Sequence, residues 1–281
     1  MSTTRILTIQ DVSCYGQCSL TVALPILSAM GIETAIIPSA VLSTHTGGFT
    51  GYTFRDLTED LPKISAHWKK ERITFDAFYT GYVGSKKQLH YIKDIVETDR
   101  KAKRLFVVDP VMADNGKLYY GFDEAFAAEM ASFVRGADVI LPNLTEASFL
   151  LKEPYVGENY DREYIEGLLR RLSALSGGDV VLTGVSFEET KLGVAAYRKE
   201  TDSVHYYFET RIEGSFHGTG DVYASAFVGG LVRGLSLEGA ADLAVDFTVR
   251  AIQATLPDRE EHWYGVKFEQ ALPYLIQRIN G

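Results

Sequence analysis

Cysteine is scarce: Cys14 and Cys18 are the two thiols in 281 residues. They have neither CxxC nor zinc-finger spacing, so a disulfide framework and a structural zinc site are excluded, and both read as reduced packing thiols. Basic residues are outnumbered, 28 Lys and Arg against 37 Asp and Glu, for a net charge of −9. A nucleic-acid footprint needs clustered Lys and Arg, so that class falls away, and an anionic substrate must be met by local groups. Long apolar runs are missing too. The first ten residues, MSTTRILTIQ, hold a short apolar stretch before Gln10 and Asp11, without a signal-peptide core or a spanning segment. The expectation is a cytoplasmic protein with no membrane partner. His45, His67, His90, His205, His217 and His262 show no paired ligand spacing, and no Ser sits in a Gly-x-Ser-x-Gly elbow, which removes zinc and serine-hydrolase chemistry.

What is present is a hydrophobic content of 46% and a repeated alternation of short β-branched runs with amphipathic stretches. Strands are expected over Arg5–Gln10, Thr34–Pro38 with Val41–Leu42, Phe75–Thr80, Leu105–Val108, Val139–Leu141, Val180–Leu182, Gly193–Arg198 and Val204–Thr210. Helices are expected over Gln17–Met30, Lys86–Thr98, Glu124–Val134, a short one from Asn143, Arg162–Leu175, one after Asp221, Leu237–Ala254 and Phe268–Ile279. Such alternation implies one α/β domain over residues 1–281, with a mostly parallel sheet covered on both faces by helices. Ligands then bind beyond the C-terminal strand ends. The polar interruptions there are Gln10-Asp11, Thr80-Gly81-Tyr82, Asp109-Pro110, Pro142-Asn143 and Thr183-Gly184. The loop Ser43-Thr44-His45-Thr46-Gly47-Gly48, rich in glycine and hydroxyls, is expected as a lip over the pocket.

The stretch Gly218-Thr219-Gly220-Asp221 runs directly into a helical pattern. Glycines allow a tight turn and close approach to a ligand, and the amides of residues 218–221 at a helix N-terminus make an anion site, most naturally for a phosphoryl group. Asp221 in the first turn is placed to take a proton from an alcohol, while the four residues alone read equally as a plain tight turn with Asp as N-cap. The pattern is neither Gly-x-Gly-x-x-Gly nor a Walker A loop, so dinucleotide and P-loop readings fit poorly. Asp109, Asp114 and Glu146 lie at or just past strand ends and form a candidate set for Mg²⁺ held through waters beside a nucleotide. Taken singly each has a plainer reading: Asp109 as a turn residue, Asn143 as a cap, Glu146 as a first-turn charge.

Together, Ile9-Gln10, Tyr15-Gly16, Ser43 with His45-Thr46-Gly47, Gly81-Tyr82, Asp109-Pro110-Val111-Met112, Pro142-Asn143 with Glu146-Ala147, and the 218–221 turn resemble pyridoxal kinases of the ribokinase-like superfamily over nearly the entire chain. The resemblance implies ATP and Mg²⁺ as cofactors, a homodimer, and phosphorylation of a primary alcohol on a vitamin B6 vitamer. It makes Asp221 the general base and Gly218, Thr219 and Gly220 the anion hole. Asn143, Thr183, Tyr119 and Thr219 become nucleotide contacts, Asp109, Asp114 and Glu146 the metal region, and Asp11, His45, Thr46 and Tyr82 the vitamer pocket. The alternatives are a hydroxymethylpyrimidine or other small-alcohol kinase on the same fold, and a vitamer- or nucleotide-binding protein without catalysis. Two positions depart from the family pattern. Asp11 stands where Ser is frequent, which bears on the preferred vitamer, and Leu141 stands where a Thr often helps hold a monovalent cation.

Overall fold

β-Branched and aromatic runs are buried from both sides, and the amphipathic stretches between them supply the cover. The computed structural model describes residues 4–99 and 104–281. In chain order its elements are β1 (Arg5–Ser13), α1 (Leu20–Ala29), β2 (Glu33–Leu42), β3 (Phe54–Asp56), α2 (Leu61–Lys70), β4 (Ala77–Thr80) and α3 (Lys86–Asp99). Then come β5 (Leu105–Val108), β6 (Ala113–Asp114), β7 (Lys117–Leu118), α4 (Glu124–Phe133), β8 (Val139–Ile140), α5 (Leu144–Leu151) and α6 (Arg162–Ser176). The chain closes with β9 (Asp179–Val185), β10 (Lys191–Arg198), β11 (Ser203–Thr210), α7 (Thr219–Val232), α8 (Leu237–Thr255) and α9 (Leu272–Asn280).

The main sheet has the order β11-β10-β9-β8-β5-β4-β1-β2-β3. Its interior pairs, from β9 through β2, are parallel, whereas β10, β11 and β3 join antiparallel at the two edges. Successive side chains point to opposite faces, so each strand feeds two cores. Ile6, Tyr79, Val107, Val139 and Val181 pack with α1, α7 and α8. Leu7, Phe78, Phe106, Val108, Ile140 and Leu182 pack with α3 to α6. Each such side chain contributes about 1.5–3 kcal/mol on burial.

The α/β expectation holds, and the differences have local causes. β1 runs on to Ser13, so Asp11 lies within the strand, opposite an irregularity where β2 carries an extra residue between the partners of Gln10 and Val12. Bulges of this kind re-aim side chains next to sites. Helix α1 begins at Leu20, three residues late, because Ser19 leaves helical backbone at φ 56°. Unforeseen are β3, α2 and the β6–β7 hairpin. The whole of β3 is exposed, whereas α2 sets Leu61, Ile64 and Trp68 at helical spacing against the second core, a short stripe of three residues.

Helix α5 begins with a reciprocal cap. The Asn143 Oδ1 accepts from the Glu146 amide (2.8 Å), and the Glu146 carboxylate accepts from the Asn143 amide (2.9 Å). Asn143 also donates through Nδ2 to the Ala113 carbonyl (2.9 Å), tying the β6–β7 hairpin to α5. Asn143→Ala is expected to lower stability by about 1 kcal/mol, the ordinary worth of an N-cap, as a drop in urea midpoint at unchanged m-value. An unaltered midpoint would show the cap to be dispensable.

Candidate active site

At the C-terminal edge of the parallel strands, α7 presents its N-terminus. Gly218 occupies the N-cap position at φ 76°, and a Cβ built there would lie 1.7 Å from the Gln17 carbonyl oxygen, so this position admits glycine alone. Gly220 is exposed and has open space where a side chain would stand. The Thr219 hydroxyl donates to the Phe216 carbonyl (3.1 Å), which closes the turn. The amides of Thr219, Gly220 and Asp221 have no carbonyl one turn earlier in the helix, which leaves their N–H groups open at the helix end.

Four carboxylates gather around this turn. Asp221 is half-buried, and burial pushes its pKa up to about 7; the Ser19 backbone amide opposes that rise and Asp11 adds to it. Asp109, beyond β5, is 8% exposed and is raised well above the usual range by burial, then by Glu146 and Asp221. Glu146 is raised to about 8 by burial, against the opposing pull of the Asn143, Met112 and Ala113 amides, with Asp114 adding repulsion. Asp11, 4% exposed, is raised by burial and opposed by the Ser19 and Ser13 hydroxyls, the latter donating at 2.9 Å. Among the described residues, no Lys or Arg figures in the main charges acting on these four acids. Crowding and burial therefore hold these acids toward their neutral forms, and a bound cation would favour the ionised ones.

The residues expected at a metal fall into two sets. Asp109 and Glu146 are brought together, but Glu146 already accepts from the amides of Met112 (3.1 Å) and Asn143 (2.9 Å). Asp114 is exposed on the β6–β7 hairpin, where its two oxygens accept from the Asn115 amide and side chain. Among the described residues, no three His, Cys, Asp or Glu side chains converge closely enough to ligate an ion directly. This donor set suits an ion held through waters and a ligand's own oxygens.

On the nucleotide side, Thr183 bridges to Asn143 across β9 and donates its amide to the Pro142 carbonyl (2.9 Å). The Asn143 side chain is engaged on both its oxygen and its nitrogen within the fold. Tyr119 is 41% exposed, and its phenol is raised by burial, then by Glu146, Asp114, Asp109 and Asp221. A cavity of about 300 Å³ next to the turn is lined by Ser215, Phe216, His217, Arg259, His262 and Trp263, among others. A larger one, about 670 Å³, lies between Arg250 and the end of α9, with none of the four carboxylates in its lining.

The expected lip is a clasp. His45, 5% exposed, donates from Nε2 to the Tyr264 carbonyl (2.7 Å) and accepts at Nδ1 from the Gly47 amide (3.1 Å), which fixes the neutral tautomer. Burial pushes its pKa down accordingly. Both ring nitrogens are thus committed within the chain, and Thr46 beside it is exposed. Phe49 packs at 5.0 Å from His45 and 4.6 Å from Trp263, while Tyr15 lies 4.8 Å from Tyr264. Tyr82, raised to about 12 by burial and then by Asp11, stands on the Asp11 side. The segment Trp263-Tyr264 and residue Ser19 were missed in the sequence. An aromatic pair after the charged run Asp258–His262 was the available signal for the first, and nothing in residue type marks the second.

A family model described as phosphomethylpyrimidine kinase matches residues 24–264. The chain belongs to that family. Among solved structures, this kinase is 39% identical to a protein of Bacteroides thetaiotaomicron named provisionally a phosphomethylpyrimidine kinase and crystallised with pyridoxal, covering 98% of this chain and 96% of that one with a TM-score of 0.93. It is 35% identical to the pyridoxal kinase of Lactobacillus plantarum, covering 99% and 98% of the two chains with a TM-score of 0.91. The curated pyridoxal kinase of Arabidopsis thaliana is 28% identical over 275 residues, 93% of this chain and 85% of its own. The kinase thus has the ribokinase-like fold of the pyridoxal kinases, and its family chemistry is phosphoryl transfer to an alcohol.

Proposed function

We propose that the protein transfers the γ-phosphoryl group of ATP to the 5′-hydroxymethyl of a vitamin B6 vitamer, working as one domain in a cytoplasmic homodimer. The observation that carries this is Asp221, a carboxylate raised to about 7 by burial, in the first turn of α7 next to the open amides of Thr219 and Gly220. A base poised near neutrality is suited to accept the alcohol proton as it is lost. The amides face the charge that accumulates on the phosphoryl group, and phosphoryl transfer asks little more of a protein than position and neutralisation. Asp109 and Glu146, with Asp114 at the rim, would hold Mg²⁺ through waters. When bound, that ion supplies neutralisation of the nucleotide's phosphate charge. Thr183, Thr219 and Tyr119 would flank the nucleotide, Asn143 would support them through its contacts to Glu146 and Ala113, and Asp11, Tyr82 and the clasp at His45 and Thr46 would frame the vitamer.

The test is ADP release with pyridoxal, pyridoxamine, pyridoxine, hydroxymethylpyrimidine and ribose offered separately. Turnover on the three vitamers exceeding that on the other alcohols is the expected result; turnover confined to hydroxymethylpyrimidine would establish the reading that the family description favours, and none at all would leave a binding protein.

Asp11 decides among vitamers. A carboxylate buried this deeply needs a partner, and pyridoxamine brings an aminomethyl cation that pyridoxal and pyridoxine lack. Asp11→Ser is expected to lower kcat/KM for pyridoxamine about tenfold relative to pyridoxal, equivalent to ~1.4 kcal/mol. Unchanged relative values would remove Asp11 from substrate selection.

A further inference from the structure

Ser19 is a non-glycine residue at φ 56°, ψ −132°, and it is 5% exposed. That combination belongs to the first central position of a type II′ turn, which is held almost exclusively by glycine. The strain is not there to cap α1 with the side chain, since the hydroxyl makes no capping hydrogen bond. The carbonyl does the capping instead, accepting from the amides of Val22 (3.0 Å) and Ala23 (2.9 Å). Ser19 also bridges to Val12, next to Asp11 on β1. The two residues before it lie against the anion turn, with the Gln17 carbonyl and the Cys18 Sγ both close to the position a Gly218 Cβ would take. The Ser19 amide opposes the rise of the Asp221 pKa and its hydroxyl that of Asp11, in keeping with a place between β1 and the 218–221 turn.

We propose that Ser19 is a positioning residue for both carboxylates. Its left-handed backbone aims the main-chain amide at Asp221 and frees the hydroxyl for Asp11, so one residue between β1 and α1 orients the base on α7 and the substrate-facing acid on β1. An unstrained backbone at this point would rotate the amide away from Asp221 and leave the carboxylate free to turn. The inference rests on Asp221 acting as the base in alcohol phosphorylation.

Two substitutions separate the backbone from the hydroxyl. Ser19→Thr keeps the hydroxyl, but its β-branch disfavours φ above zero. Ser19→Gly accepts the conformation freely and drops the hydroxyl. Ser19→Thr should lower kcat about 10²-fold, the scale of a misplaced catalytic group, with KM for ATP within about twofold. Ser19→Gly should rescue kcat to within about threefold of wild type, raise KM for the alcohol through Asp11, and melt no lower than wild type, because the strain is relieved. The overturning results are Ser19→Thr with wild-type kcat, or Ser19→Gly impaired in kcat as much as Ser19→Thr. Wild-type turnover on the vitamers, measured alongside, tests the reaction itself, so its failure is distinguishable from failure of the Ser19 assignment.

Discussion

Asp221→Asn is expected to reduce kcat by about 10²-fold or more, the usual contribution of a positioned general base, while nucleotide binding persists. The same substitution should stabilise the free protein at alkaline pH. Asp221 carries a pKa of about 7 in the folded state against an ordinary 3.8, because burial disfavours its charge. Between those values the native state holds a proton that the unfolded chain has released, so this group's contribution is fully present below pH 3.8 and is lost as pH rises through about 7. Asn has no charge to bury. Relative to wild type, the variant should therefore gain roughly 1–4 kcal/mol at pH 8 that it does not gain at pH 4. In wild type, kcat/KM for the alcohol should fall on the acid side of about pH 7, as the base becomes protonated. Melting curves at the two pH values and a pH–rate profile check both statements. A variant with near wild-type turnover, or with the same melting difference from wild type at both pH values, contradicts them.

Gly218→Ala should damage stability and chemistry together. The added methyl would sit 1.7 Å from the Gln17 carbonyl, which is backbone and cannot swing aside, and alanine resists φ 76°. Strain and displacement together should cost about 2–4 kcal/mol. In the fraction that folds, the amides of residues 219–221 are shifted from the phosphoryl position, and kcat should fall about 10²–10³-fold, as when an oxyanion donor is removed. Chemical denaturation read beside active-site titration separates the two effects. If turnover per folded site is preserved, the turn is only a structural bend.

The alternation of strand and helix was legible because parallel strands buried on both faces must be apolar throughout, and because their covering helices show the 3.6-residue period over ten or more residues. The tight turn into α7 was legible because two glycines stand directly before a helical pattern. What escaped notice depends on partners remote in sequence. Nothing near Ser19 says that its backbone is forced positive; the cause is its fit between β1 and a turn some two hundred residues later. His45 was readable as a polar loop residue, but its commitment to the Tyr264 carbonyl required the fold. Glu146 likewise read as an ion ligand, and its oxygens prove to hold the Met112 and Asn143 amides as well. Helix α2 was readable in the stripe of Leu61, Ile64 and Trp68 and was passed over because that stripe is only three residues long.

The clasp that joins His45 to Tyr264 spans 219 residues, and a second tie runs from the Gln17 side chain to Glu269 at 2.8 Å. Domains begin to fold as they emerge from the ribosome, N-terminal parts first. A nascent chain of this protein can lay down β1, β2 and β4 early, yet the His45 loop has nothing to fasten to until Tyr264 has been made. Closure of the clasp therefore waits on Tyr264, and a chain lacking it would leave the His45 imidazole without its acceptor while β1, β2 and β4 keep their pairing.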